Sequence, residues 1–234
     1  IEVLDGDATA VRSPNLDPLP AGVDGHLVLE AVRFLQRSNI VIEPRRRWPQ
    51  PGGLPKYHLN GNIRPDVRPE IGRALSIWGD SGWGARVRNG KNQERSFAED
   101  LIHACMSMLE EWDPQPAPGW VTSIASDRYP DLVPSFAKRL AKELDLPYVS
   151  TLACSQSSGE RSAMANSVQR ARTLDGSMDI DPSNVLEGPV LLVDDLVDTR
   201  WTMSIASWLL RSNGSGPVYP LALAYMGWRT DQSN

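Results

Sequence analysis

The chain has 234 residues, of which 41% are hydrophobic and 23% charged, with a formal net charge of −5 at pH 7. That balance suits an ordinary soluble globular chain of one large or two small domains, not a disordered or fibrous one. The sequence holds no apolar run long enough for a bilayer and no basic-then-apolar leader, so no membrane partner and a cytoplasmic location are expected. Cys105 and Cys154 are the only cysteines, which points to a reducing compartment and no disulfide framework. The chain opens on Ile1, as a fragment or processed piece of a longer protein would.

Residues 1–22 are rich in Asp, Pro and small residues and read as an extended linker. Asp24 is a helix start, and Leu27, Val28, Ala31, Val32 and Leu35 recur at helical spacing as far as Ser38-Asn39. Ile40-Val41-Ile42 is a short strand stopped by Glu43-Pro44. Then comes Arg45-Arg46-Arg47-Trp48-Pro49. Three arginines beside an indole suit phosphate contact plus base stacking. Arginines paired with acids on a surface loop are the plainer alternative. Across residues 43–95, eleven Lys/Arg face five Asp/Glu, whereas the rest of the chain carries thirteen against twenty-four. A basic stretch inside an acidic chain is the footprint of nucleic-acid contact if the charges gather in space, and a solvated surface if they do not.

His58 has no Cys or His at metal-ligand spacing and reads as a surface residue. Gly79-Asp80-Ser81-Gly82-Trp83-Gly84 is followed by no Gly-Lys-Ser/Thr, so it is not a Walker loop. It reads as tight turns packed by aromatic rings, with a hairpin through Val87 and a turn at Asn89-Gly90; a ligand loop is the alternative. Phe97 to Trp112 is a helix with Leu101, Ile102, Cys105, Met108 and Leu109 on one face. The Pro-rich connector 113–119 is the expected boundary between a basic α+β region at 23–115 and an α/β domain at 116–234.

Beyond it strands and helices alternate, as in a parallel sheet flanked by helices. Trp120 to Ala125 is a strand, the loop Ser126-Asp127-Arg128 its tip, and Leu132 to Leu144 a helix. Leu146 to Val149 begins a second strand, and about Arg161 to Ala171 is a helix; Arg161, Arg170 and Arg172 either face a phosphate or form a solvated face, and the solvated face is expected. Pro189 to Met203 organises the rest. Val190 to Val193 is a buried apolar strand, Asp194 and Asp195 follow, Asp198-Thr199 makes a turn, and a helix starts near Trp201 and runs to Leu210. Ligands of open parallel sheets bind beyond the carboxyl ends of strands, and a helix N-terminus suits a phosphate. Asn213-Gly214 caps the helix, and Val218 to Tyr225 is a last buried strand.

Pro189 to Met203 resembles the ribose-phosphate loop of type I phosphoribosyltransferases. The resemblance implies that Asp194 and Asp195 hold ribose hydroxyls. It also implies that Asp198, Thr199 and Thr202 belong to a turn wrapping a 5′-phosphate, with Mg²⁺ on a phosphoribosyl pyrophosphate-like ligand. Ser126, Asp127 and Arg128 stand where that family's pyrophosphate loop stands. Arg200 and Trp201 depart from it: a small residue is usual at the first position, where the backbone needs positive φ. Arg200 would bring a guanidinium for phosphate and Trp201 a stacking surface.

A narrower likeness joins this stretch with Glu43 to Pro49, Gly79 to Gly84 and Met164 to Ser167. Together they are similar to the C-terminal phosphoribosyltransferase-like extension of actinobacterial RecQ-family ATP-dependent DNA helicases. That likeness implies a non-motor accessory module in DNA recombination or repair, touching DNA through Arg45, Arg46, Arg47 and Trp48 and keeping a phosphate or nucleotide pocket. No ATPase or zinc motif of the motor occurs, so no catalytic residue and no metal ligand is assigned. A working phosphoribosyltransferase and a nucleotide-sensing or protein-docking module are the alternatives.

Overall fold

In the computed structural model, the residues described are 25–37, 39–126, 128–154 and 167–226. Their elements, in chain order, are α1 (Gly25–Arg37), β1 (Ile40–Ile42), β2 (Gly72–Ala74), α2 (Trp83–Asn89) and α3 (Glu99–Trp112). They continue with β3 (Trp120–Ser126), α4 (Leu132–Glu143), β4 (Leu152–Cys154), α5 (Ser167–Thr173), β5 (Met178–Ile180), β6 (Val190–Val197), α6 (Trp201–Ser212) and β7 (Val218–Tyr225). The strands form one seven-stranded sheet in the order β1-β2-β7-β6-β3-β4-β5. The five central strands are parallel, and an antiparallel strand closes each edge, β1 against β2 and β5 against β4.

Both faces of the sheet are covered, so its inner strands are apolar at nearly every position. Side-chain alternation along β6 shows the division. Val190 and Leu192 pack with Trp120, Trp201, Ile205 and Leu209, whereas Leu191 and Val193 pack with Leu101, Phe136 and Leu140. Helices α5 and α6 therefore cover one face, and α2, α3 and α4 the other. Burying each Leu or Val stabilises by about 1.5–3 kcal/mol, so the two long strands β6 and β7 anchor the sheet. The N-terminal region contributes β1 and β2 to this same sheet. No helix among the described residues is long and apolar enough to cross a membrane.

Several expected elements appear within a residue or two: α1, β1, α3, β3, α4, α6 and β7. Others differ for identifiable reasons. The stretch expected to be a hairpin through Val87 is helix α2, and the chain continues past Asn89 through a π-turn at Gly90–Glu94. Asn89-Gly90 stays helical, with Gly90 at φ −56°, ψ −42°, and Gly90 packs so close to Phe97 that a Cβ there would meet the Ser96 carbonyl oxygen at 2.6 Å. The second parallel strand starts later than expected. Tyr148 makes only a single bridge to Val121, and regular pairing resumes at Leu152. Strand β6 runs on to Val197, so its acids lie inside the strand, not at its tip. Most of the expected helix 161–171 falls outside the described residues; α5 begins at Ser167.

Candidate functional site

The chain leaves β3 through α4 toward β4 and leaves β6 through α6 toward β7, so the two neighbouring strands send their connections in opposite directions. Such a switch point is where an open α/β sheet leaves a crevice. Pairing between β3 and β6 ends at Ser123 and Val193. Beyond that register β3 follows β4 through Ser126, and β6 follows β7 to Val197 opposite Tyr225. The strands part, and a cavity of about 530 Å³ opens between their carboxyl ends.

One wall is the β6–α6 turn. Asp194, Asp195, Asp198, Thr199, Arg200 and Thr202 all line the cavity. One carboxylate oxygen of Asp194 accepts the Asp195 amide hydrogen at 2.9 Å. Arg200 sits at φ +66°, ψ +1°, immediately before α6. A left-handed residue with a full side chain costs roughly 1–2 kcal/mol, so the turn's shape is imposed by its surroundings. Helical bonding begins with the Ser204 amide donating to the Arg200 carbonyl at 3.0 Å. The amides of Trp201, Thr202 and Met203 therefore form the first turn, at the positive end of the α6 dipole.

The segment after β1 supplies those surroundings. Arg45 Nε donates to the Thr199 carbonyl at 2.6 Å, and its guanidinium lies 3.9 Å from the Trp201 ring centroid. Arg200 reaches back and donates to the Glu43 carbonyl at 3.3 Å. The Trp201 indole is itself only 2% exposed and belongs to the core under α6. It supports the turn from beneath, and its face is taken by Arg45. The cavity corner is thus not filled by the indole.

The opposite wall is cationic. Lys91, in the π-turn after α2, places its Nζ 2.6 Å from Asp195 Oδ2. Arg95 stacks on Tyr129 at 4.1 Å from the ring centroid, and Arg128 approaches the same ring at 5.2 Å. Arg170 on α5 pairs with Asp198. Among the described lining residues five side chains are cationic and three are carboxylates, so this crevice is net positive inside a chain of net charge −5. Such a site attracts an anion.

The structure thus brings the acid–turn residues together with Arg128. Ser126 ends β3, with its backbone paired to Cys154; Asp127 lies outside the described residues. Arg170 corrects an expectation: it is buried against Asp198 instead of solvated, while Arg172 is exposed and donates to the Pro51 carbonyl. Arg161 lies outside the described residues. The Arg45-Arg46-Arg47-Trp48 group is dispersed. Arg45 faces the turn, Trp48 is 3% exposed in the core with no ring face for a base, and Arg46 and Arg47 are exposed. Arg47 donates to Asn62 Oδ1 at 3.1 Å. Lys91 and Arg95 carry no local signal in the sequence; only the tertiary fold brings Lys91 to Asp195, 104 positions away, and Arg95 to Tyr129, 34 positions away.

The glycine-rich stretch 79–84 is organised from within. Asp80 accepts the amide hydrogens of Ile77 (3.0 Å), Gly82 (2.9 Å) and Gly84 (2.9 Å). A Cβ on Gly84 would stand 1.8 Å from the Ile77 carbonyl oxygen, so only glycine fits. This turn places Trp78 beside the cavity and packs Trp83 under α1, its indole N–H donating to the Gln36 carbonyl at 3.0 Å.

No family model matches the chain, and no curated protein matches it. Solved structures similar to it are phosphoribosyltransferases. An adenine phosphoribosyltransferase from Saccharomyces cerevisiae is 13% identical, with 86% of this chain and 89% of that one covered, at a TM-score of 0.41. Another adenine phosphoribosyltransferase is 17% identical over 54% of this chain and 68% of its own, at a TM-score of 0.39. An orotate phosphoribosyltransferase from Aeropyrum pernix is 21% identical over 56% and 62%, at a TM-score of 0.34.

Proposed function

We propose that the crevice binds a ribose 5-phosphate group, and that the chain is a phosphoribosyl pyrophosphate-binding protein of the phosphoribosyltransferase kind. The observation that carries this reading is the junction of three features at the β3/β6 switch point. These are paired acids on β6, a left-handed turn opening onto the first amides of α6, and a facing cationic wall. Asp194 and Asp195 are placed to accept hydrogen bonds from vicinal hydroxyls. The turn from Asp198 to Thr202 presents amide and hydroxyl donors to a phosphate monoester. Arg128 and Arg95 face a second anionic group from the far side.

In the transfer, a ring nitrogen of an acceptor bonds to C1 of the ribose as the C1–oxygen bond to pyrophosphate breaks, and the proton of that ring nitrogen passes to solvent. The bonding pair leaves with pyrophosphate. This chain's part is to hold both ends of the ribose ligand and to stabilise charge on the leaving group. Isothermal titration calorimetry with ribose 5-phosphate, phosphoribosyl pyrophosphate and AMP tests the pocket, and release of pyrophosphate in the presence of nucleobases tests the transfer. Binding by phosphoribosyl pyrophosphate that Asp194→Asn weakens supports the reading; three probes that give no heat sink it.

The exposed Arg46 and Arg47 favour a second reading, a DNA-contacting accessory module within a longer helicase. Much of the basic stretch is engaged internally, as in Arg45–Trp201, Arg64–Asp66, Arg86–Asp100 and Lys91–Asp195. DNA binding that falls steeply with salt and drops in an Arg46→Ala/Arg47→Ala chain would support that role. Affinity indifferent to both changes would end it.

A further inference from the structure

Resting on the ribose-phosphate reading, we infer that Lys91 supplies at Asp195 the positive charge a divalent cation would otherwise bring, so that this pocket takes its phosphorylated ligand without a metal. The resemblance to phosphoribosyltransferases implies Mg²⁺, and the acids present do not suit it. Lys91 Nζ stands 2.6 Å from Asp195 Oδ2, and the two side chains are 12% and 9% exposed. A divalent ion on that carboxylate would share it with an ammonium at contact distance in a crevice with restricted solvent. Like-charge repulsion there is far stronger than in water.

The backbone that carries the ammonium is packed into the core. Lys91 follows Gly90 in a π-turn that ends on Arg95 in the left-handed region at φ +54°, with the Ser96 amide donating to the Gly90 carbonyl at 3.2 Å. Gly90 presses on Phe97, whose side chain is fully buried in the core beneath α3 and α4. The Lys91 backbone is therefore part of a packed corner, and its side chain is 12% exposed.

The remaining acids have partners as well. Asp198 holds the Arg170 guanidinium, and one oxygen of Asp194 accepts the neighbouring amide hydrogen. Among the described residues no group of three or more His, Cys, Asp or Glu could hold a metal ion. The surplus of cations over carboxylates lining the cavity matches the charge of one phosphate dianion. A ribose 5-phosphate dianion therefore meets its counter-charge already built into the walls.

Calorimetry of the wild-type chain with ribose 5-phosphate and with phosphoribosyl pyrophosphate, each in EDTA and in millimolar Mg²⁺, decides the matter. The expected result is that both probes bind in EDTA with affinities within about threefold of those in Mg²⁺, a difference under roughly 0.7 kcal/mol. In EDTA, Lys91→Met should weaken binding by about tenfold or more, Mg²⁺ should restore part of the loss, and Lys91→Arg should retain binding. Wild-type binding that appears only with Mg²⁺ overturns the inference and leaves the pocket intact. Lys91→Met binding as tightly as wild type in EDTA also overturns it. Absence of binding by either probe in both conditions overturns the ribose-phosphate reading, and this inference with it. Should Lys91→Met fail to fold, the wild-type comparison decides alone.

Discussion

Arg45→Ala separates a structural arginine from a surface one within a single run of three. In the folded chain Arg45 donates to the Thr199 carbonyl at 2.6 Å and lies 3.9 Å over the Trp201 ring. A hydrogen bond from a charged donor contributes about 1.5–3 kcal/mol, and a partly desolvated cation–π contact about 1 kcal/mol more. Truncation should therefore cost about 3 kcal/mol. For a chain of this size 1 kcal/mol moves the melting temperature by roughly 2–4 °C, so Arg45→Ala should melt roughly 6–12 °C lower. Arg46→Ala and Arg47→Ala, at exposed positions, should stay within about 0.5 kcal/mol of wild type. Differential scanning calorimetry of the three variants measures this. The left-handed turn at Arg200 loses its strap in the same variant, so ribose 5-phosphate should also bind more weakly to Arg45→Ala. If the three variants melt together within about 2 °C, Arg45 does not hold the turn and the account of its strain is wrong.

Gly84→Ala should destabilise by about 3 kcal/mol or block folding, since its Cβ would meet the Ile77 carbonyl oxygen at 1.8 Å. Asp80→Ala should cost a comparable amount by stripping the acceptor from three amides; urea midpoints near wild type for both would show that the turn repacks freely. Lys91→Met alone should cost about 2–3 kcal/mol, short of the ~3–5 of a fully buried pair because the two side chains keep 12% and 9% exposure. Adding Asp195→Leu should recover most of that loss, whereas additive losses in the double variant would mean that the two side chains do not interact. Burial pushes the Cys105 thiol well above its ordinary range. The folded chain keeps a proton that the unfolded chain surrenders above about pH 8.5, so this group's stabilisation is whole below that pH and declines as pH rises past it. Urea midpoints should therefore fall on raising the pH above about 8.5, and Cys105→Ala should flatten part of that fall. An unchanged slope would rule the thiol out.

Local pattern was enough to locate the elements that carry the site. The run Val190 to Val193 followed by acids, a polar turn and helical spacing from Trp201 specified β6, the turn and α6, because each depends on neighbours within a few residues. The apolar faces of α3 and α4 and the continuous apolar run of β7 were legible for the same reason. What lay opposite the acids was not. Lys91 reaches Asp195 through a π-turn in a stretch whose Asn-Gly pair reads as a reversal, and Arg170 reaches Asp198 from a helix whose charges read as solvated. The same holds for the indoles: Trp48 and Trp201 read as stacking surfaces, and packing between distant segments buried both. Charge and aromaticity state what a side chain can do. Which partner it meets is set by the order in which β3 and β6 are laid side by side, and a contact between residues a hundred positions apart leaves no periodic trace in the chain.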